Sequence, residues 1–388
     1  MPPTHSQPPH PDGRSFAGSS RRRFLQTLTA AASSVVLTNC ARNLSNPSAT
    51  NSPTAASPSP SANDKTLYVY TWANYTDDEL LKSFEAKTGI RTVVDTFDSN
   101  ESMLAKVEAG GANAYSVIYP SDYMVVEMLD KGLLTQLDRS RLAGLSNLNS
   151  KWSNPSYDSN NAHSVPATWG TTGLIYNPER LNGKTITDWN FLWQNKGSLG
   201  RQVTLINDVR EVMGATLRSL GFSYNSKDPK QIEQAYRRLV ELKPAIASFL
   251  TNGWEDQLAS GDLSVSMAYS SDAITLIEEK PDLKYVIPRS GTSIWTDTMV
   301  IPKSAPNPEA AYAWMNFMLD PANAAGLVER LNFATPNKAA FEKLPTNYKN
   351  NTNLYPPEAI LAKCESIVPV PTETADLYDN FWTRLTSA

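Results

Sequence analysis

From residue 65 to residue 121 the apolar positions keep changing period. KTLYVYTW (65–72) alternates as a strand does, its side chains falling on opposite faces in turn. TDDELLKSFEAKTG (76–89) then sets Leu80, Leu81 and Phe84 on one helical stripe, with Thr76 and Glu79 spaced as a capping box and Gly89 where a helix ends. IRTVVDTF (90–97) returns to strand, SNESMLAKVEAGG (99–111) to helix, and YSVIYPS (115–121) to strand. Strand alternating with helix predicts an open α/β sheet.

The rhythm resumes at RQVTLIN (201–207), a strand, followed by helices over DVREVMGATLRSLG (208–221) and QIEQAYRRLVEL (231–242) and a strand over DLSVSMAY (262–269). Between the two stretches SVPATWGTTGLIYNP (164–178) is extended and rich in small residues, which reads as a crossover. NPEAAYAWMNFMLDPANAAGLVERL (307–331) reads as helix, packing back on the first half. Two α/β lobes joined by more than one crossing leave a cleft between them, where open α/β folds place ligands.

SGTSIWTDTMVIP (290–302) is a further strand, and its period of two puts Trp295 and Asp297 on one face. A core Trp beside a solvated Asp explains one such pair. Similar sets recur at other strand ends: Trp72 and Tyr75 in YTWANY, Ser121 and Tyr123 in YPSDY, Tyr269 and Asp272 in MAYSSDA, Asp208 and Glu211 in LINDVRE. Aromatic walls pack methylenes and attract cations at about 0.5–2 kcal/mol per contact, so the set suits an aliphatic chain bearing ammonium groups. For Asp208 and Glu211 the spacing equally describes a helix capping box, and for Trp72, Tyr75 and Tyr123 it equally describes strand-end packing.

Charge supports the cationic guest. Residues 1–64 hold five Arg against two Asp, and the remaining 324 carry 30 basic against 37 acidic side chains. Phosphate backbones demand clustered Lys and Arg, so nucleic acid is excluded as a partner, and an acidic body favours a cation. Catalysis lacks its usual parts. His5 and His10 lie in the leader, His163 stands alone in a polar loop, and no G-x-S-x-G, phosphate loop, H-E-x-x-H or C-x-x-C is present. Only Cys364 follows Cys40, so the folded part has no disulfide framework and no Cys spacing for zinc. A paired-carboxylate hydrolase stays open, because acids are plentiful.

SRRRFLQ (20–26) and the short apolar run after it resemble a bacterial twin-arginine export signal, and LTNC (37–40) resembles a lipoprotein cleavage box that would lipidate Cys40. Asn39 departs from the small residue usual there, and a plain secretory signal is the other reading. Residues 41–63 are Ser, Pro, Ala and Asn with few large apolar groups, the composition of a disordered tether.

From about residue 65 onward the chain resembles the spermidine/putrescine-binding proteins that serve bacterial ABC importers. YTWANY, TFDSNESMLAKV, YPSDY, VPATWGTTGLIYN, DVREVMGATLRSLG, SIWTDTMVIP and FATPN follow that family in order. The resemblance implies a two-lobed type II periplasmic binding protein fold closing on its ligand like a hinge, with no enzymatic activity, cofactor or metal. It implies residues 64–172 with 298–341 as lobe 1 and 173–297 with 342–388 as lobe 2, a monomeric protein, and delivery of polyamine to a membrane permease. Carried over by position, Trp72, Asn74, Tyr75, Ser121 and Tyr123 would be first-lobe contacts, and Asp208, Glu211, Tyr269, Asp272, Trp295 and Asp297 would line the second lobe or hinge, with Phe333 as a further wall. Asn74 stands where relatives often carry an acid, Phe333 where they often carry Tyr, and Tyr269 where Trp is common. Asp272 fits the putrescine-binding pattern better than the spermidine-binding one. A polar C-terminal contact of the family would fall near IVPVPTE (367–373), which does not match. Other readings are a binding protein for a different cation or a sugar, an exported hydrolase, and a structural surface lipoprotein.

Overall fold

The computed structural model describes residues 65–387. The export signal, Cys40 and the tether lie outside them. Nine strands form one continuous sheet: β1 (Thr66–Trp72), β2 (Arg91–Phe97), β3 (Val117–Ile118), β4 (Ser164–Tyr176), β5 (Val203–Leu205), β6 (Ile246–Phe249), β7 (Val265–Tyr269), β8 (Lys284–Val286) and β9 (Ile294–Val300). In one half β1 lies parallel between β2 and β3, and β9 runs antiparallel between β3 and the first part of β4. In the other, β5 lies parallel between β6 and β7, which pairs antiparallel with the end of β4.

β4 belongs to both halves. Residues Ser164 to Thr171 pair with β9, Thr172 to Tyr176 pair with β7, and β8 flanks the end. The crossover expected from its small, extended residues is therefore a strand shared by the two halves. Hydrophobic side chains on both faces suit a strand covered on both sides, and twelve of its 13 residues are buried.

Ten helices cover the sheet before the C-terminal segment: α1 (Asp78–Thr88), α2 (Asn100–Glu108), α3 (Asp122–Asp130), α4 (Asn190–Gln194), α5 (Val209–Ser219), α6 (Pro229–Leu242), α7 (Glu255–Ser260), α8 (Ser270–Glu279), α9 (Pro308–Leu319) and α10 (Pro321–Leu331). The first-lobe core gathers Leu67 and Val69 of β1, Leu80 and Phe84 of α1 and Trp314 of α9. In the second lobe Leu205, Met213, Ala235 and Leu239 pack with Tyr378 and Leu385 of the C-terminal helix, Thr372–Thr386. Among the described residues no helix is long and apolar enough to cross a membrane.

Two local expectations are corrected. The start of α1 is capped by Asp77, which accepts the Leu80 amide at 2.7 Å, and not by Thr76 and Glu79 as a capping box. Arg330 of α10 explains the change, because its guanidinium binds Asp77 at 2.7 Å and Glu79 at 3.1 Å, pulling Glu79 away from the helix start. The single helix over 307–331 is two, since Pro321 cannot continue α9 and Asp320 instead caps α10 through the amides of Ala322 and Asn323. Gly89 ends α1 in the left-handed conformation, at φ 70°, as its position implies.

Candidate functional site

The strand ends of both halves meet at a cleft holding about 730 Å³ of empty space, part of it open to solvent. Eleven of the twelve candidate ligand residues line it: Trp72, Tyr75, Ser121 and Tyr123 from the first lobe, Asp208, Glu211, Tyr269 and Asp272 from the second, and Trp295, Asp297 and Phe333 from β9 and the segment after α10. Asn74 does not. It occupies the left-handed region at φ 63° and is exposed, a turn position that Asn tolerates well.

Asp297 is the most tightly supported anion. It is 4% exposed on β9, and its carboxylate receives the Ser121 hydroxyl at 2.6 Å on one oxygen and the Tyr75 hydroxyl on the other. These partners lie 176 and 222 residues away in sequence, so β1, β3 and β9 must be adjacent before the cluster exists. Asn100, at the start of α2, fixes the donors: its amide nitrogen is 3.1 Å from both the Ser121 and Tyr123 hydroxyls, while its oxygen accepts the Ser121 backbone N–H at 3.1 Å. The Tyr123 hydroxyl in turn donates to Glu101 at 2.9 Å.

In the second lobe Asp208 serves two ends. It caps α5, accepting the amides of Arg210 at 2.8 Å and Glu211 at 3.0 Å, and it also faces the cleft. Glu211 does not complete a capping box. Buried to 2% exposure, its carboxylate lies 2.8–3.1 Å from the hydroxyls of Tyr224, Ser293 and Thr172. Thr172 is where β4 changes partner, and Ser293 immediately precedes β9, so Glu211 ties the cleft wall to both connecting strands. Arg210 turns away as its place beside Glu211 implies, donating to Asn225 at 3.2 Å and the Val368 carbonyl at 3.1 Å. The carboxylate of Asp272, in the first turn of α8, has no hydrogen-bond partner among the described residues.

Burial governs the acidity of these groups. It lifts the Asp297 carboxyl to about 6, against the opposing pull of the Ser121 and Tyr75 hydroxyls. It lifts Glu211 to about 7, helped by the charge of Asp208, and Asp272 to about 7, helped by Glu255. Asp208 also rises through burial, despite the two amides that favour its ionised form.

Rings complete the walls. Trp72 leans on Phe97 with centroids 4.5 Å apart, Tyr75 on Phe333 at 4.3 Å, and Tyr269 meets Trp295 edge to face at 5.7 Å. Trp295 lies over Gly170 of β4, where an added Cβ would strike the indole and come within 2.6 Å of the Ser270 hydroxyl. Gly170→Ala is expected to lower the melting temperature, since over-packing costs about 1–3 kcal/mol, and to weaken ligand binding by tilting Trp295. An unchanged melting curve would contradict that close fit.

Six lining residues are acidic and none is Lys or Arg. Two of the acids, Asp98 and Asp122, escaped sequence reasoning, although Asp122 stands between Ser121 and Tyr123. Thr251 and Asn252 were missed because β6 was not read as a strand, so its end loop was not recognised as cleft. Ile367 contributes an apolar surface from the C-terminal stretch where the family's polar contact would fall and the sequence does not match it. His163 lies away from the lining, with Nδ1 3.4 Å from Asp158. Among the described residues no group of His, Cys, Asp and Glu could hold a metal ion.

Residues 79–356 match the family model described as bacterial extracellular solute-binding protein. The chain is 34% identical over 324 residues to the spermidine/putrescine-binding periplasmic protein of Salmonella typhimurium, covering 84% of this chain and 92% of that one. Its Escherichia coli counterpart is 36% identical over 76% of this chain and 84% of its own. A spermidine/putrescine ABC transporter substrate-binding protein from Streptococcus pneumoniae superposes with a TM-score of 0.72 at 34% identity, over 83% of this chain and 98% of that structure.

Proposed function

We propose, from the premise that this chain belongs to the bacterial extracellular solute-binding proteins, that its cleft captures polyamines, putrescine or spermidine, and hands them to an ABC import permease. The observation that carries the reading is a cleft with six acidic and several aromatic lining residues and no cation of its own. Such a lining leaves a positive charge to be supplied by the guest.

The protein binds and releases; it is not an enzyme. Ammonium groups pair with Asp297 and with the second-lobe acids, and Trp72, Trp295 and Tyr269 pack along the methylenes between them. Rotation about β4 and the start of β9 brings the lobes together, in the division 64–172 with 298–341 against 173–297 with 342–388. Expelling water then strengthens each charge contact, because Coulomb energy rises as the effective dielectric constant falls. Export by the twin-arginine-like signal, an anchor at Cys40 and a monomeric state belong to the same proposal.

Titration calorimetry tests it. Putrescine or spermidine is expected to bind at one site per chain and to be recovered intact. Lysine is expected to bind weakly, because its carboxylate meets acids and no basic partner in the lining. Saturable binding of a sugar with none of either amine would overturn the reading, as would chemical conversion of the amine.

A further inference from the structure

We infer that Asp122 is a ligand-facing anion that works with Asp297 on one ammonium end of the polyamine. The inference rests on the polyamine reading and goes beyond it by adding a recognition residue. Asp122 opens α3, is 4% exposed, and lines the cleft. One carboxylate oxygen accepts the amide of its neighbour Tyr123 at 2.9 Å, the residue's own backbone N–H also favours the charged form, and no side chain among the described residues hydrogen-bonds to the carboxylate. On the protein side the carboxyl therefore meets only backbone amides of the helix start, while the residue lines the cleft.

A structural role at the helix start does not account for this. A helix N-terminus welcomes negative charge, but Ser121 already occupies the N-cap position and could satisfy an amide without burying a carboxyl. Ser121 instead spends its hydroxyl on Asp297. The result is two carboxyls in one cleft, Asp297 held by the Ser121 hydroxyl and Asp122 on the residue next to Ser121.

The surroundings offer no compensating cation in contact. Burial disfavours the charge of Asp122 and Asp297 repels it, which together raise its pKa well above the usual carboxylate range. Tyr157, packed nearby, has a buried hydroxyl without a partner. Lys151 exerts a favourable field but makes no ion pair with Asp122; its ammonium lies 5.2 Å from the Trp152 ring and 5.9 Å from the Trp169 ring. A guest ammonium is the group that would satisfy both carboxyls at once.

The test is calorimetry of Asp122→Asn and Asp122→Ser against the unaltered protein, with spermidine and putrescine, in two buffers of different ionisation heat. A ligand-facing carboxyl predicts at least a tenfold loss of affinity in both variants and fewer protons released per amine bound. The melting temperature without ligand is expected to hold or rise, since an uncompensated buried acid is removed. Unaltered affinity and proton count in either folded variant would reduce Asp122 to a helix-start group. If the unaltered protein binds neither amine, the polyamine reading fails first and takes this inference with it.

Discussion

Asp297→Asn is expected to weaken polyamine binding by about 2–5 kcal/mol, the cost of leaving a desolvated cation without its counter-charge. The substitution is nearly isosteric, and the amide oxygen can still accept a hydroxyl, so the β9 scaffold should persist. What disappears is the negative charge, in a site where only 4% of the residue reaches solvent and water cannot replace it. The hydroxyls of Tyr75 and Ser121 converge on this carboxylate from the first lobe, which fixes its position before any ligand arrives. Preorganisation of that kind makes the loss appear mainly as faster release. Calorimetry with both amines checks it, and equal dissociation constants for variant and parent would remove Asp297 from the site.

The second large effect is on pH. Asp297, Glu211 and Asp272 take up protons at about 6, 7 and 7 in the empty cleft, whereas an unfolded carboxyl does so near 4. Between those limits the folded chain holds more protons than the unfolded one, so the stability of the empty protein falls as pH rises. The contribution of these groups is most favourable below about 4 and is lost as pH climbs through 6 and 7. Ligand affinity moves the other way, because an ammonium needs the carboxylates ionised. Binding should therefore strengthen from pH 5.5 to 8 and release protons near pH 6.5. Bound polyamine should also flatten the fall in melting temperature. Thermal melts and calorimetry across that range test the pair, and an affinity that does not change with pH would contradict the burial of these acids.

The strand and helix periods place β1, α1, β2, α2, β3, β5, α5, α6, β7 and β9, and read β4 as an extended crossover. The failures have identifiable causes. A local capping signal at Thr76 and Glu79 lost to Arg330, a partner about 250 residues away, which no window around residue 76 can contain. β6 is four residues long and half-buried, too short for alternation to show, and with it went Thr251 and Asn252. At Asp208 two readings were offered as rivals, cap and cleft, and the side chain fills both roles because the helix begins at the cleft wall.

The chain by itself determined the alternation of elements, the excess of acids and the recurrence of rings beside carboxyls at strand ends, since each of these is a property of neighbours in sequence. It also carried the ordered motifs by which the family is recognised. Tertiary structure decided which acids share one void. Asn74 and Asp122 both lie within the quoted motifs, yet a left-handed turn leaves the first exposed while the second, at the start of α3, is buried in the cleft wall. Side-chain direction at a strand end is set by pairing across the sheet, and for β9 with β3 and β4 those pairs join residues more than a hundred positions apart.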